Sequence, residues 1–162
     1  MTTGSDASHD LARRFRDAAL PLLDDVYTLA RYLLRNAADA EDAVQECYLR
    51  ALRHFDTYRG PEIRPWLFAI LRNVPLWQEP PPTPESEILH ERDADTVRRL
   101  VAALPEPFRE AIVLREINEL SYREIADVVG APVGTVMSRL ARARCMLRQA
   151  WIVAEEEEGL PT

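Results

Sequence analysis

The chain has 162 residues, enough for one or two small domains, each with its own hydrophobic core. Aliphatic residues are abundant, glycines number only five, and no stretch alternates polar and apolar residues for long, so the composition predicts an all-helical protein. The net charge of −7 argues at first against a nucleic-acid partner, but two segments, residues 57–74 and 121–150, carry net positive charge, all of it arginine. Attraction to phosphate is local on the scale of the Debye length, so these two blocks matter more than the total.

Several classes of protein are excluded by what the sequence lacks. The N-terminus is acidic and polar, unlike a signal peptide, and no apolar run approaches the roughly 20 residues of a membrane-spanning helix. Cys47 and Cys145 lie in separate stretches and the histidines are scattered, so we expect no metal site, no cofactor and two free, buried thiols in a cytoplasmic protein. No catalytic triad, paired-acid motif or phosphate loop indicates an enzyme.

The first helices are predicted from apolar spacing and caps. Residues 1–7 are expected to be disordered, and Ser8 is expected to cap a helix that runs to about Leu20. Pro21 begins or kinks a second helix, whose apolar spacing continues to Asn36.

The next helix, predicted at Asp39–Asp56, has an apolar stripe and a polar outer face, and Asp39 is its plausible N-cap. The residues expected in the buried stripe are Ala40, Ala43, Val44, Cys47, Ala51, Leu52 and Phe55. The residues that fall outside it are Asp42, Gln45, Glu46, Arg50 and Arg53. A polar outer face is expected for any surface helix, so the residues alone do not indicate a partner.

A turn at Thr57–Ile63 and a short helix at Arg64–Val74 follow. Apolar residues cover so much of this helix that it must be mostly buried. The polar groups near its ends are Arg59, Arg64, Arg72 and Asn73. Aromatic and arginine side chains beside an exposed loop are typical of sites that hold unpaired bases, although for Trp66 a place in the core is the favoured interpretation.

Five of the 12 prolines lie in residues 75–84, which are therefore predicted to form a semi-rigid, extended linker. Thr83 is expected to cap a helix that runs to about Ala103, and another helix is predicted at Glu106–Ile117. The predicted fold is all-α, with two small helical domains at residues 8–74 and 85–153. The acidic run Glu155–Glu158 is expected to be a solvated tail.

The stretch Leu120–Ala150 has the pattern of a helix-turn-helix. Ser121 and Glu124 have the spacing of a capping box, and Gly130-Ala131-Pro132 ends one helix and starts another. On the second helix the apolar face comprises Val133, Val136, Leu140, Ala143 and Leu147, and a separate polar face comprises Thr135, Ser138, Arg139 and Arg142. Such a helix fits the DNA major groove, but a helical hairpin with a solvated arginine face is about as compatible with the periodicity.

Two long blocks of the sequence resemble the bacterial extracytoplasmic-function (ECF) sigma factors of the sigma-70 family. Their promoter-melting domain, region 2, is similar to DAEDAVQECYLRALRHFDTYRG followed by WLFAILRNV. Their region 4 is similar to LPEPFREAIVLREINELSYREIADVVGAPVGTVMSRLARAR. The blocks occur in family order on either side of the linker. The resemblance implies a factor that binds core RNA polymerase, melts the −10 element with residues 8–74 and reads the −35 element with residues 85–153.

The resemblance also implies roles for single residues. Contacts with the clamp helices of the largest polymerase subunit are implied for Asp39, Asp42, Gln45 and Glu46. Contacts with the −10 element are implied for Arg59, Arg64, Arg72 and Asn73. Contacts with the −35 element are implied for Thr135, Ser138, Arg139 and Arg142, with Arg144 as a weaker phosphate contact. The implied partners are core polymerase (clamp helices and flap), promoter DNA and an anti-sigma factor that a stress signal releases, with no membrane insertion.

Three departures from the family pattern stand out. Asn73-Val74 runs straight into Pro75, where family members continue with a longer basic helix. Met137 and Ala141 stand where family members often carry a basic and a larger side chain. Residues 74–85 span at most about 35 Å, so residues 85–95 are expected to be extended in the working complex. The missing basic segment after Asn73 and the net charge of −7 motivate an alternative function, a sigma-like decoy that binds an anti-sigma factor and recognises promoters poorly.

Overall fold

The computed structural model describes residues 3–34, 36–58, 60, 62–74 and 92–158. All the regular structure in these residues is helical, which confirms the all-α prediction. The chain divides into two compact units, Met1–Gln78 and Glu79–Thr162. The predicted linker at residues 75–84, together with the predicted cap at Thr83, lies outside the described residues.

Within the described residues, the first unit has four α-helices. They are α1 (Thr3–Ala19), α2 (Leu23–Leu33), α3 (Ala37–His54) and α4 (Ile63–Arg72). A 3-10 turn at Leu20–Leu22, with Pro21 in its middle, joins α1 to α2, and a second turn at Phe55–Thr57 ends α3. Helix α3 packs between α2 and α4, and α1 packs against α4.

The core of this unit is centred on α4. Leu67, Phe68 and Leu71 of α4 are completely inaccessible to solvent. In α2, Val26 is also completely inaccessible, and Leu29 is nearly so. Burying one such side chain stabilises the fold by about 1.5–3 kcal/mol relative to exposure. Every other residue of α4 is at least half-buried, so the prediction that this short helix is mostly buried is confirmed.

Two predicted helix starts are wrong. Helix α1 begins at Thr3, so residues 3–7 are helical and Ser8 lies inside the helix instead of capping it. Helix α3 is capped by Asn36 and not by Asp39. The Asn36 side-chain oxygen accepts hydrogen bonds from the backbone N–H groups of Ala38 at 2.7 Å and Asp39 at 3.4 Å. Asn36 has the extended backbone that a cap requires, whereas Asp39 already lies in the first turn.

Within the described residues, the second unit also has four α-helices. They are α5 (Arg92–Ala103), α6 (Glu106–Ile112), α7 (Tyr122–Val129) and α8 (Val133–Glu158). A wider π-helical turn at Val113–Ile117 prolongs α6. Helices α5, α6 and α7 all pack against α8. The largest side chains that this packing buries completely or nearly so are Val113, Leu114, Leu120, Ile125, Val136 and Leu140.

Two predictions about α8 need correction. The helix continues to Glu158, so the acidic run expected to be a tail is helical, although residues 155–157 are exposed as predicted. Alanine and glutamate favour helix, and the first glycine after this segment is Gly159. Val133 is 39% exposed and not part of the buried stripe, which begins at Val136.

Candidate functional site

The helix-turn-helix of the second unit is built by two local motifs. The Ser121 hydroxyl accepts a hydrogen bond from the Glu124 N–H at 3.1 Å, and the Glu124 carboxylate accepts one from the Ser121 N–H at 3.0 Å, so the predicted capping box is confirmed. Gly130 ends α7 in the left-handed conformation, with φ of 70°, and donates its N–H to the Ala126 carbonyl at 2.9 Å. Pro132 directly precedes α8, and its carbonyl accepts the first hydrogen bonds of that helix.

Helix α8 buries one side and exposes another. Val136, Leu140 and Ala143 are buried, which confirms the central part of the predicted apolar stripe. The polar side, which we call the reading face, comprises Thr135, Ser138, Arg139 and Arg142. Ser138 and Arg142 are exposed and one helical turn apart, whereas Thr135 and Arg139 are half-buried on its flank.

Neighbouring residues shape the reading face. The Arg142 guanidinium lies 5.9 Å from the ring centroid of Phe108 on α6, within the range of a cation–π contact. Met137, 52% exposed, and Ala141 are also solvent-accessible beside Ser138 and Arg142. These two side chains offer apolar contact but no hydrogen-bond donor to a base edge.

Arg144 lies apart from the reading face. Its guanidinium donates to Glu116, which belongs to the π-helical turn, with Nη2 2.7 Å and Nε 3.3 Å from one carboxylate oxygen. These bonds, followed by one to Tyr122, raise the pKa of Arg144 above its ordinary value. The family resemblance implied a phosphate contact for Arg144, and this ion pair was not predicted because its partner is 28 residues away.

The residues expected to meet the −10 element lie at the two ends of α4. Arg64 is in the first turn, where its Nε lies 3.6 Å from the Asp25 carboxylate and its guanidinium 5.8 Å from the Phe68 ring centroid. Arg72 and Asn73 are at the other end, about 12 Å away along the axis. Asn73 is exposed and ends the helix. Arg59 lies outside the described residues.

An aromatic cluster of Phe55, Tyr58 and Trp66 holds the loop before α4. The ring centroids of Tyr58 and Trp66 are 4.8 Å apart, and those of Phe55 and Tyr58 are 6.5 Å apart in a stacked arrangement. Burial, reinforced by the nearby Glu62 charge, raises the pKa of Tyr58. A Cβ on Gly60 would lie 2.8 Å from the Tyr58 ring, so the loop needs glycine there. Trp66 is half-buried within this cluster.

The outer face of α3 is more apolar than predicted. Asp42 and Gln45 are exposed, and Glu46 is half-buried. Leu49, 51% exposed, and Leu52, 39% exposed, continue the same side of the helix at three- and four-residue steps. The prediction that Leu52 is buried is therefore wrong, because α2 and α4 cover a narrower stripe than the apolar spacing implies. We call these five residues the α3 face; Asp39 lies half-buried in the first turn of the same helix.

Two kinds of feature, metal-ligand clusters and membrane-spanning helices, are absent from the part of the chain that the structure describes. No group of three or more histidine, cysteine, aspartate or glutamate side chains there is arranged to hold a metal ion. In the same residues, no helix combines the length and the apolar character that crossing a membrane requires.

Both halves of the chain match known protein families. Residues 20–76 match the family Sigma-70 region 2, and residues 94–147 match the family Sigma-70, region 4. The chain is 35% identical over 136 residues to the ECF RNA polymerase sigma-E factor of Escherichia coli (strain K12), an alignment that covers 67% of this chain and 71% of that protein. It is 36% identical over 147 residues to the ECF RNA polymerase sigma-E factor of Haemophilus influenzae, covering 74% and 77%.

Solved structures give the same result. The sigma factor RpoE in complex with the anti-sigma factor NepR from Bartonella quintana is similar with a TM-score of 0.73 and 26% identity, over 87% of this chain and 98% of that one. CnrH, in complex with the cytosolic domain of CnrY, is similar with a TM-score of 0.69 and 25% identity, over 93% and 95%. Sigma factors are DNA-binding transcription initiation factors and not enzymes. The chain belongs to the extracytoplasmic-function sigma factors of the sigma-70 family.

Proposed function

We propose that this sigma factor binds core RNA polymerase through the α3 face, opens the −10 element with the first unit and reads the −35 element with α8. In this proposal region 2 occupies residues 8–74, region 4 occupies residues 85–153, and residues 75–84 link them. The matches of residues 20–76 and 94–147 to the two family regions support this division. The observation that carries the proposal is the exposed pair Ser138 and Arg142 on the second helix of a helix-turn-helix.

The reading face suits the major groove. An arginine can donate two parallel hydrogen bonds to a guanine, and serine or threonine can bond either a base edge or a phosphate. We assign base contacts to Ser138 and Arg142, which are exposed, and flanking contacts to the half-buried Thr135 and Arg139. The start of α8, where Val133 and Gly134 are exposed, adds backbone N–H groups, and the positive end of the helix dipole favours a phosphate there.

The loop and the ends of α4 suit an opened strand. We propose that a base flipped out of the duplex is held near Tyr58 and Trp66, whose rings provide stacking surfaces, and that Asn73 hydrogen-bonds another base. Arg64 and Arg72, with Arg59 in the loop, contact the strand's phosphates. Holding unstacked bases stabilises the open state, so the factor needs no ATP to favour melting.

The α3 face suits a protein partner. The carboxylate and amide groups of Asp42, Gln45 and Glu46 lie on the same side of α3 as Leu49 and Leu52. Exposure of these two leucine side chains to water is unfavourable in the free protein. Docking on the clamp helices of the largest polymerase subunit would bury Leu49 and Leu52 and pair the acidic groups, with Asp39 at the margin. We assign the flap of the polymerase to the second unit.

Regulation by an anti-sigma factor is part of the same proposal. The similar RpoE structure contains the anti-sigma factor NepR. We propose that an anti-sigma factor covers the polymerase and DNA surfaces of this chain in the cytoplasm and that a stress signal releases it.

A decoy that binds an anti-sigma factor with little promoter recognition is the second candidate. Met137 and Ala141, accessible beside the base-reading pair without hydrogen-bonding groups, favour it. We place it behind the first function because Ser138 and Arg142 remain available for base contacts.

The deciding experiment is run-off transcription with purified chain, core polymerase and fragments of the host genome. We expect transcripts from discrete start sites that form only when the chain is present. Their amount should decrease when the Arg142→Ala variant is used instead of the wild-type chain. Core binding without any start site, together with binding of an anti-sigma factor, would instead establish the decoy.

A further inference from the structure

Arg144 lies on a different side of α8 from the reading face. At about 100° per residue, it stands about 140° around the helix from Arg139 and about 160° from Arg142. A side chain so placed cannot share a groove-facing surface with both of them. Its contacts, accordingly, are with the segment that precedes α7 and with α7 itself.

Four residues form what we call the Tyr122 cluster: Arg115, Glu116, Tyr122 and Arg144. Arg144 bonds the Glu116 carboxylate at 2.7 Å and also the Tyr122 hydroxyl. Arg115 lies 4.7 Å from the centroid of the Tyr122 ring and donates a 2.9 Å hydrogen bond to the Leu120 carbonyl. The cluster therefore ties α8 to both the π-helical turn and the first turn of α7.

The backbone that presents Glu116 is itself fixed. The Asn118 N–H bonds the Val113 carbonyl at 2.9 Å across the π-helical turn, and the Leu120 N–H bonds the Leu114 carbonyl at 3.0 Å. Glu119 has a positive φ of 60°, an unusual conformation for a residue other than glycine. A wide turn followed by a left-handed residue places the arginine and the carboxylate at positions 115 and 116 around the Tyr122 side chain.

We infer that Glu116 and Arg144 are positioning residues that fix the rotation of α8 about its own axis, and hence the register of Ser138 and Arg142 on the −35 element. This inference depends on the proposed reading of that element. A rotation of about 20° moves a side-chain tip about 6 Å from the axis by about 2 Å, which is enough to break a hydrogen bond. The contact of Arg142 with Phe108 restrains the helix on another side.

The exposure of the Glu116–Arg144 ion pair indicates that its role is to orient α8 and not to stabilise the fold. The side chains of Arg144 and Glu116 are 44% and 52% exposed, and ion pairs this accessible contribute little to folding. The Glu116 carboxylate also neutralises the arginine locally, which leaves little charge to attract a phosphate. Arg144 therefore acts through the reading face and not on DNA itself.

The test uses holoenzyme made with core polymerase and two duplexes, a promoter mapped by run-off transcription and the same promoter with a scrambled −35 element. The variants are Glu116→Gln, Arg144→Gln and the exchange Glu116→Arg with Arg144→Glu. Arg142→Gln serves as the comparison for a direct contact. Binding is measured over a series of salt concentrations, and thermal unfolding of each free chain is followed by circular dichroism.

We expect each single variant to reduce the preference for the intact −35 element by about fivefold or more, with unchanged binding to the scrambled duplex. The exchange should restore the preference to within about twofold. The salt dependence of binding should be unchanged in Arg144→Gln, because its slope reports contacts with phosphates and this arginine makes none. Arg142→Gln removes a contact with a base, so it should lower the preference for the intact −35 element without changing that slope.

Each of several results would overturn the inference. One is an equal loss of binding to both duplexes by Arg144→Gln, together with a lower slope of the salt dependence. Others are tighter binding by Glu116→Gln and an exchange that restores folding without restoring the preference for the intact −35 element. Wild-type holoenzyme that shows no preference for the intact −35 element would remove the proposed function and this inference with it. Wild-type preference that the variants retain would remove only the inference.

Discussion

Arg50 of α3 donates a 2.8 Å hydrogen bond to Glu46 one turn earlier, and another of its nitrogens lies 3.5 Å from the Asn73 backbone carbonyl at the end of α4. One side chain thus connects the surface that we assign to polymerase with the helix end that we assign to the −10 element. Glu46 and Arg50 are about one-third exposed, so the pair adds at most about 1 kcal/mol to stability. Its effect is to hold two surfaces of the first unit in a fixed relation.

The exposed leucine at the centre of the α3 face provides the first prediction. Leu49→Asp should weaken binding to core polymerase by about tenfold or more, since burial of a leucine is worth about 1.5 kcal/mol or more. Helical content should not change, because Leu49 is half exposed in the free protein. Pull-down and competition binding against labelled wild-type chain measure the effect.

The matched control is Leu23→Asp, which makes the same change at a residue of α2 that is 40% exposed and lies outside the α3 face. Core binding should survive that substitution. Equal losses in the two variants would show that the α3 face is not a distinct docking surface.

Arg142 on the reading face gives a second prediction. Arg142→Ala should weaken binding to promoters with an intact −35 element by about 1–3 kcal/mol, the range for an arginine that contacts a base edge. Holoenzyme binding to labelled promoter DNA measures this loss. Arg13→Ala, an exposed arginine of α1, is the control for a general change of charge and should have little effect. An identical loss at Arg13 would assign the effect of Arg142 to charge alone.

Two glycines flanking the turn of the helix-turn-helix allow a comparison in which only the backbone differs. A Cβ added at Gly130 or at Gly134 would meet nothing within 4 Å, but Gly130 has a φ of +70°. Gly130→Ala should therefore destabilise the second unit by about 1–2 kcal/mol, the cost of the left-handed conformation. Gly134→Ala lies in the first turn of α8 and should stabilise it by about 0.5–1 kcal/mol. Denaturant unfolding without DNA gives both values, and a shift of the same sign in both would contradict the argument.

Cys145 is exposed, so the prediction that both thiols are buried is wrong for it, and the two cysteines should differ sharply in reactivity. Cys47 is buried, its thiol lies 3.4 Å from the Leu67 carbonyl, and burial raises its pKa to about 12 despite the opposing effect of Arg50. At pH 8 only about one thiol in ten thousand would then be ionised. A disulfide reagent should modify the exposed Cys145 at once and Cys47 only as the chain unfolds. Two fast equivalents in native protein would show that the first unit opens readily.

The same pKa shift has a consequence for stability. Folding raises the pKa of Cys47 from 9.0 to about 12, so the native state favours the protonated thiol. This contribution to stability is complete below about pH 9 and is lost as the pH rises toward 12. Cys47→Ala should reduce the alkaline part of the pH dependence of unfolding, whereas Cys145→Ala should leave it unchanged.

Features that depend on residues close together in the sequence could be predicted from local patterns. The capping box at Ser121 and Glu124 is present, and the apolar spacing of α8 correctly placed Val136 and Leu140 in the core. Apolar spacing could not show where the covering helices end, and for that reason Leu52 and Val133 were expected inside. Several polar residues close to the start of α3 can cap it, and their order alone did not select Asn36.

Contacts between distant residues were beyond the reach of periodicity. The ion pair of Glu116 and Arg144 joins residues 28 positions apart. It also depends on a π-helical turn that no simple periodic pattern in the sequence predicts. The arginines and the hydroxyl of the reading face could be named from their spacing, but which of them are exposed depends on how α6 and α7 pack against α8. The roles of those residues on DNA stay predictions.

In α8 one unbroken helix carries arginines at positions 139, 142 and 148, besides the Glu116-paired Arg144, and then four glutamates at positions 155–158. At about 1.5 Å per residue, the centres of these two groups lie about 20 Å apart along a stiff rod. Such a rod is a permanent electric dipole, and in the field of a polyanion its energy is lowest with the arginines toward the phosphates. We therefore expect a protein that is acidic overall to approach DNA with the arginines of α8 toward the phosphates and the glutamates away from them.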